Sequence, residues 1–182
     1  AAGSKTFRQR QPDGQGGWIH NTRGIQPVPY RLPQLVDGLT RGEMIYVVEG
    51  EKDADTLNDL GLVATTNHGG AKKWREEHSS YFTPGCKVSI IPDSDQVGYQ
   101  HASQVWTSLQ ERGCDVRIIK LPNLDVKGDV TDWLNNGHTK EELLEVVGEA
   151  WEGERQQIHL NSEVHEKGSF SGKSVSNEPV YI

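Results

Sequence analysis

Apolar and polar positions follow two different grammars along this chain. From residue 44 onward, short continuous apolar runs alternate with amphipathic stretches. MIYVVE (44–49) reads as a strand buried on both faces. EKDADTLNDLG predicts a helix with Ala54, Leu57 and Leu60 on one side and Gly61 as its stop. LVATT (62–66) predicts a second strand, GGAKKWREEHSSYF a second helix, and KVSIIP (87–92) a third strand. VGYQHASQVWTSLQERG predicts a helix and DVRIIKLP (115–122) a fourth strand. GDVTDWLNNG and TKEELLEVVGEAW then predict two closing helices. Such alternation implies an α/β domain with a four-stranded, mainly parallel sheet flanked by helices.

Ahead of this region the pattern is irregular. KTFRQRQ alternates as a strand would, with Arg8 and Arg10 on one face. PDGQGG is a dense turn signal, WIH restarts a strand, and TRG turns again. LPQLVDGL predicts a short helix stopped near Gly38. The expected organisation is a remnant of cloning at 1–4 (Ala-Ala-Gly-Ser), a small β-rich subdomain at 5–42, an α/β domain at 43–150, and a polar linker or tail at 151–182.

The 182 residues suffice for one domain with a real core. No stretch is apolar enough to span a membrane, so the expected setting is soluble and cytoplasmic. The formal charge of −7 argues against wrapping nucleic acid by bulk charge. It divides unevenly, +3 over residues 1–40 and −10 over the remainder. Two cysteines, Cys86 and Cys114, are too few for a zinc module or a disulfide scaffold. They sit in near-copies, GCKVSII and GCDVRII, each read as a turn entering a buried strand. GSFSGKS (168–174) is not a phosphate loop, because its glycines are one residue too close and no strand precedes it.

Ligands of open parallel sheets bind beyond the carboxyl ends of the strands. There the first strand ends in Glu49-Gly50 and the third in Pro92-Asp93-Ser94-Asp95. Three carboxylates at two strand mouths repel one another unless a cation compensates. Oxygen-only donors select a hard ion, Mg²⁺ or Mn²⁺. Asp53, one turn after Glu49, reads equally as a further ligand or as favourable charge at a helix start. Asp129 and Asp132 read locally as a helix cap and a first-turn acid. In TTNHGGAKKW, Gly69, Gly70, Lys72 and Lys73 suit either a phosphate site at a helix start or a plain strand-to-helix turn.

VVEGEKDADTL, IIPDSDQVG and KGDVTDWL, in that order on an α/β alternation, resemble the Toprim domain of bacterial-type DNA primases, topoisomerases and certain nucleases. The resemblance covers roughly residues 43–147. EGEKDAD, ATTNHGGAKKW and GDVTDWL look closest to primases and primase-helicases of bacteria, phages and mobile elements. FRQRQPDGQGGWIHNTRGIQPVPYRLPQL resembles the segment preceding Toprim in those proteins.

The resemblance implies a catalytic core for metal-dependent nucleotidyl transfer, making short RNA primers from ribonucleoside triphosphates on single-stranded DNA. It implies Glu49 as acid/base or metal ligand, and Asp93 and Asp95 as metal ligands. Asp53, Asp129 and Asp132 are implied as further metal-site acids. Arg8, Arg10, Arg23, Arg31, Lys72 and Lys73 are then expected against triphosphate or template backbone. A replicative helicase, in cis or in trans, is the expected protein partner. A zinc-binding module normally precedes such a core and a helicase often follows it, and neither is present in this sequence. A topoisomerase needs a tyrosine-bearing cleavage domain for which there is no room. A Toprim nuclease and a non-catalytic nucleic-acid-binding or docking module are the two alternatives.

Overall fold

The computed structural model describes residues 9–167, and side chains through residue 153. The alternating apolar runs form a four-stranded sheet whose strands are all parallel. They are β3 (Ile45–Val48), β4 (Val63–Thr65), β5 (Lys87–Ile91) and β6 (Asp115–Ile118), in the order β4-β3-β5-β6. Two further strands, β1 (Gln11–Pro12) and β2 (Trp18–Ile19), pair antiparallel as a separate small hairpin. Of KTFRQRQ (5–11), residues 5–8 lie outside the described residues, and among the rest Gln11 begins β1. Arg8 and the GSFSGKS segment lie outside the described residues.

Helices cover both faces of the sheet, because consecutive strand residues point to opposite sides. Ile45 and Val47 face one way, packing with Leu35, Trp74, Phe82, Val105 and Leu109. This layer holds α1 (Leu32–Arg41), α3 (Glu76–Ser79) and α4 (Gln96–Glu111). Tyr46 and Val48 face the other way, packing with Leu57, Trp133, Leu143 and Val147. That layer holds α2 (Glu51–Asp59), α5 (Val130–Asn135) and α6 (Lys140–Lys167). Among the described residues no helix is long and apolar enough to cross a membrane.

Three expectations are corrected. First, α1 does not stop near Gly38 but runs to Arg41. Gly38 is instead a packing residue, since a Cβ there would sit 2.8 Å from both Val63 methyls. Second, the GGAKKWREEHSSYF segment is helical only over Glu76–Ser79. Gly69, Gly70 and Lys72 all take positive φ, which ends any right-handed helix. Third, α6 continues past residue 151, where a tail was expected. Trp151 belongs to the core, and its indole N–H donates to Ser89 Oγ at 2.9 Å.

Candidate functional site

The strand order places the site. From β3 the chain goes to β4 on one side and, after α3, to β5 on the other. The gap between β3 and β5 is thus the point where connections diverge, and ligand crevices form there. Val48 pairs with Ile91 as the last rung of that ladder. The next residues on each strand, Glu49 and Pro92-Asp93, therefore leave the sheet side by side.

Each of the expected acids has a distinct setting. Glu49 is partly buried, and its Oε2 is buried with no hydrogen-bond partner among the described residues. Gly50 precedes α2, and Asp53 in the first turn leans back toward it, so a Cβ at residue 50 would lie 2.9 Å from Asp53 Oδ2. A side chain at residue 50 would therefore have to displace the Asp53 carboxylate. Asp53 is only 5% exposed and accepts a hydrogen bond from Thr131 Oγ1 at 2.6 Å. Asp95 caps α4, with Oδ1 accepting from the Gly98 N–H at 2.8 Å. Asp129 caps α5, with Oδ1 accepting from the Asp132 N–H at 2.7 Å. Its Oδ2 accepts from Lys52 Nζ at 2.6 Å.

The two acidic loops are zipped together. The Ser94 N–H donates to Gly128 O, and the Lys127 N–H donates to Ser94 O, both at 2.9 Å. Gly98 lets α4 start against the same loop, because a Cβ there would meet the Asp93 carbonyl oxygen at 2.5 Å.

Electrostatics shows which acids share one space. Burial first, then the charges of Glu49, Asp53, Asp129 and Asp95, push the Asp93 carboxyl up to about 7. Burial raises Glu49 as well, helped by Asp95 and then Asp53. Asp53 is raised chiefly by burial, against the lowering hydrogen bond from Thr131. Five carboxylates thus form one field. Asp132 is outside it: its Oδ2 accepts from the Asp129 N–H, and it lines a separate cavity of about 280 Å³ with Lys127, Gly128 and Asn135. The local reading of Asp129 and Asp132 as a helix cap is what the structure contains, and Asp129 joins the cluster besides.

As donors, these residues fit a hard divalent cation: all are oxygen, crowded, and one oxygen is orphaned. Their spacing is looser. Among the described residues no three His, Cys, Asp or Glu side chains stand close enough to hold an ion without moving.

The expected basic residues scatter. Arg31 is committed to Asp55, with Nε 2.6 Å from Oδ1. Arg10 lies over the Trp18 ring at 4.0 Å. Arg23 is in the exposed segment after the hairpin. The Lys72 backbone N–H donates to His101 Nδ1 at 3.1 Å, and the helix expected to begin in this loop starts only at Glu76. Lys73 lines a cavity of about 420 Å³ together with His68, Arg75, His78 and the apolar Ile25, Pro27 and Val28. That cleft separates the N-terminal segment from the loop after β4. The loop is tied to the acids where Thr66 Oγ1 donates to the Glu49 carbonyl at 2.9 Å.

Several site residues escaped the sequence reading. Lys52 was visible inside EGEKDAD but carried no signal of its long-range bond to Asp129. Thr131, Arg75, His78 and His101 had no spacing signal at all.

No protein-family model matches the chain, and no curated protein is similar to it in sequence.

Proposed function

We propose that this chain is a Toprim-type catalytic core of a DNA primase, joining ribonucleotides into short primers on single-stranded DNA. The observation that supports this best is the state of Asp93. A carboxylate held to about pH 7 by burial and four neighbouring acids has the environment that a divalent cation relieves. Glu49, Asp93 and Asp95 would hold one Mg²⁺ or Mn²⁺ after side-chain rotation, with Asp53 and Asp129 toward a second. When bound, the cation supplies charge neutralisation and Lewis acidity.

The chain's own groups have separable tasks. The Glu49 carboxyl, raised in proton affinity chiefly by burial, would accept the proton that the attacking 3′-hydroxyl gives up. Lys73 and Arg75 meet phosphate in the cleft of about 420 Å³, and Ile25, Pro27 and Val28 give a base an apolar wall. Lys52 holds Asp129 in place.

A second reading is a non-catalytic nucleic-acid-binding or docking module. The specific observation in its favour is the looseness of the acids, four of which (Asp53, Asp95, Asp129 and Asp132) are already hydrogen-bonded. A nuclease using the same carboxylates is separated by product. The test is incubation with Mg²⁺ or Mn²⁺, single-stranded DNA and labelled ribonucleotides. Labelled short primers support the primase reading, shortened DNA supports the nuclease, and unchanged substrates support the module.

A further inference from the structure

The near-copies GCKVSII and GCDVRII lie side by side in the sheet. Lys87 pairs with Asp115 as the first rung of the β5–β6 ladder. Backbone bonding continues outward from that rung. The Asp115 N–H donates to Cys86 O at 2.9 Å, and the Gly85 N–H donates to Gly113 O at 2.7 Å. Cys86 therefore stands beside Cys114, one residue before the rung. Neighbouring strands lie about 4.8 Å apart, and a disulfide needs Cα atoms roughly 4.4–6.8 Å apart. Both side chains belong to one face. Cys114 is buried among Val88, Ile90, Val116 and Ile118, and Cys86 packs against the same layer.

The two thiols differ in exposure and in acidity. Both are reduced. Cys86 is half-buried, whereas Cys114 is only 3% exposed. The hydrogen bond between the two thiols holds Cys86 below its ordinary pKa, against the effect of burial. The same bond, and then burial, pushes Cys114 up. The thiolate is the nucleophile in disulfide exchange, so the outer and more acidic sulfur reacts first. The inner sulfur already lies against it. This pair stands at the amino ends of β5 and β6, whereas Glu49, Asp93 and Asp95 follow the carboxyl ends of β3 and β5.

We propose that Cys86 and Cys114 form a thiol-modification site for small-molecule disulfides, with Cys86 as the entry thiol and Cys114 as the resolving thiol. The Cys86 thiolate attacks one sulfur of the small disulfide, forming a mixed disulfide and releasing the first small thiol. Cys114 Sγ then attacks Cys86 Sγ and expels the second small thiol, which carries away the Cys114 proton. The protein dithiol is oxidised to one disulfide, and the small disulfide is reduced to two thiols. The bond closes a covalent loop that contains α4 and the acids Asp93 and Asp95. The site is independent of the primase reading.

The probe is oxidised glutathione, added to the full native chain at pH 8 and followed by intact mass. The wild type is expected to lose two hydrogens, to release two equivalents of reduced glutathione, and to regain its starting mass in dithiothreitol. Non-reducing peptide mapping is expected to join the Cys86 and Cys114 peptides of one chain. Cys114→Ser is expected to stop at a glutathionyl adduct on Cys86. Cys86→Ser is expected to react at least about tenfold more slowly than the wild type, because only the buried thiol is left. A wild type that keeps a stable glutathionyl adduct overturns the proposal, as does one that joins two chains instead. A wild type that reacts only after unfolding in urea also overturns it.

Discussion

The Lys52 ammonium donates to Asp129 Oδ2 at 2.6 Å, joining the first turn of α2 to the cap of α5 across 77 residues of chain. Asp53 Oδ1 lies 3.9 Å from the same nitrogen. One cation thus sits inside a field of carboxylates and offsets part of it. Lys52→Met removes that charge. Lys52 is 60% exposed, so the loss of stability is small, about 0.5–1 kcal/mol by denaturant unfolding. The larger effect is on proton affinity. Carboxylate titration by NMR is expected to show Asp53 moving further upward, because Lys52 now lowers it. An unmoved Asp53 contradicts this placement of the charge.

Asp93 contributes a distinct pH dependence to the stability of the metal-free chain. Its folded pKa of about 7 lies above the reference value of 3.8. Between those values the folded state binds more protons than the unfolded state, so stability falls as pH rises. The penalty is absent below about pH 4 and complete above about pH 7. Asp93→Asn removes the titrating group. In chelator at pH 8 it is expected to be more stable than wild type by about 1–3 kcal/mol, with a flatter profile from pH 4 to 7. Thermal unfolding across that range checks the prediction, and parallel profiles for the two proteins contradict it.

Two glycines on helices predict opposite outcomes. Gly98→Ala drives a Cβ to 2.5 Å from the Asp93 carbonyl oxygen and 3.0 Å from its nitrogen, both backbone atoms that cannot swing away. It is expected to cost about 1–3 kcal/mol and to displace the acidic loop. Gly148→Ala on α6 meets nothing within 4 Å and is expected to gain up to about 1 kcal/mol through helix propensity. Equal effects in urea unfolding contradict the close contact at Gly98.

The elements were legible where local pattern and burial agree. The runs at 45–48 and 88–91 became β3 and the body of β5 because a sheet covered on both faces buries its inner strands; Lys87, at the start of β5, is exposed. Glu49, Asp93 and Asp95 were legible because each ends or follows such a run. The loop after β4 was not. Its residues have helix-forming composition, yet Lys72 takes a φ of 64° to reach His101, a contact across 29 residues that no spacing announces. Arg31 was read as free for phosphate but is held by Asp55, again through a contact between distant positions. The Asp129–Asp132 cap was readable locally, whereas its approach to Asp93 depends on the backbone bonds between Ser94 and residues 127–128. Local rules locate elements and their ends; what the ends meet is decided by tertiary packing.

Titration of Mn²⁺ by EPR, or of Mg²⁺ by calorimetry, into the wild-type chain, Glu49→Gln and Asp93→Asn is the most direct measurement of whether these acids make a cation site. Both substitutions keep size and shape, and Asp93→Asn is expected to fold at least as well as wild type. The wild type is expected to bind one or two ions, more tightly at pH 8 than at pH 5, and each variant to bind at least about tenfold more weakly. Equal binding by all three proteins contradicts a metal site at the mouths of β3 and β5.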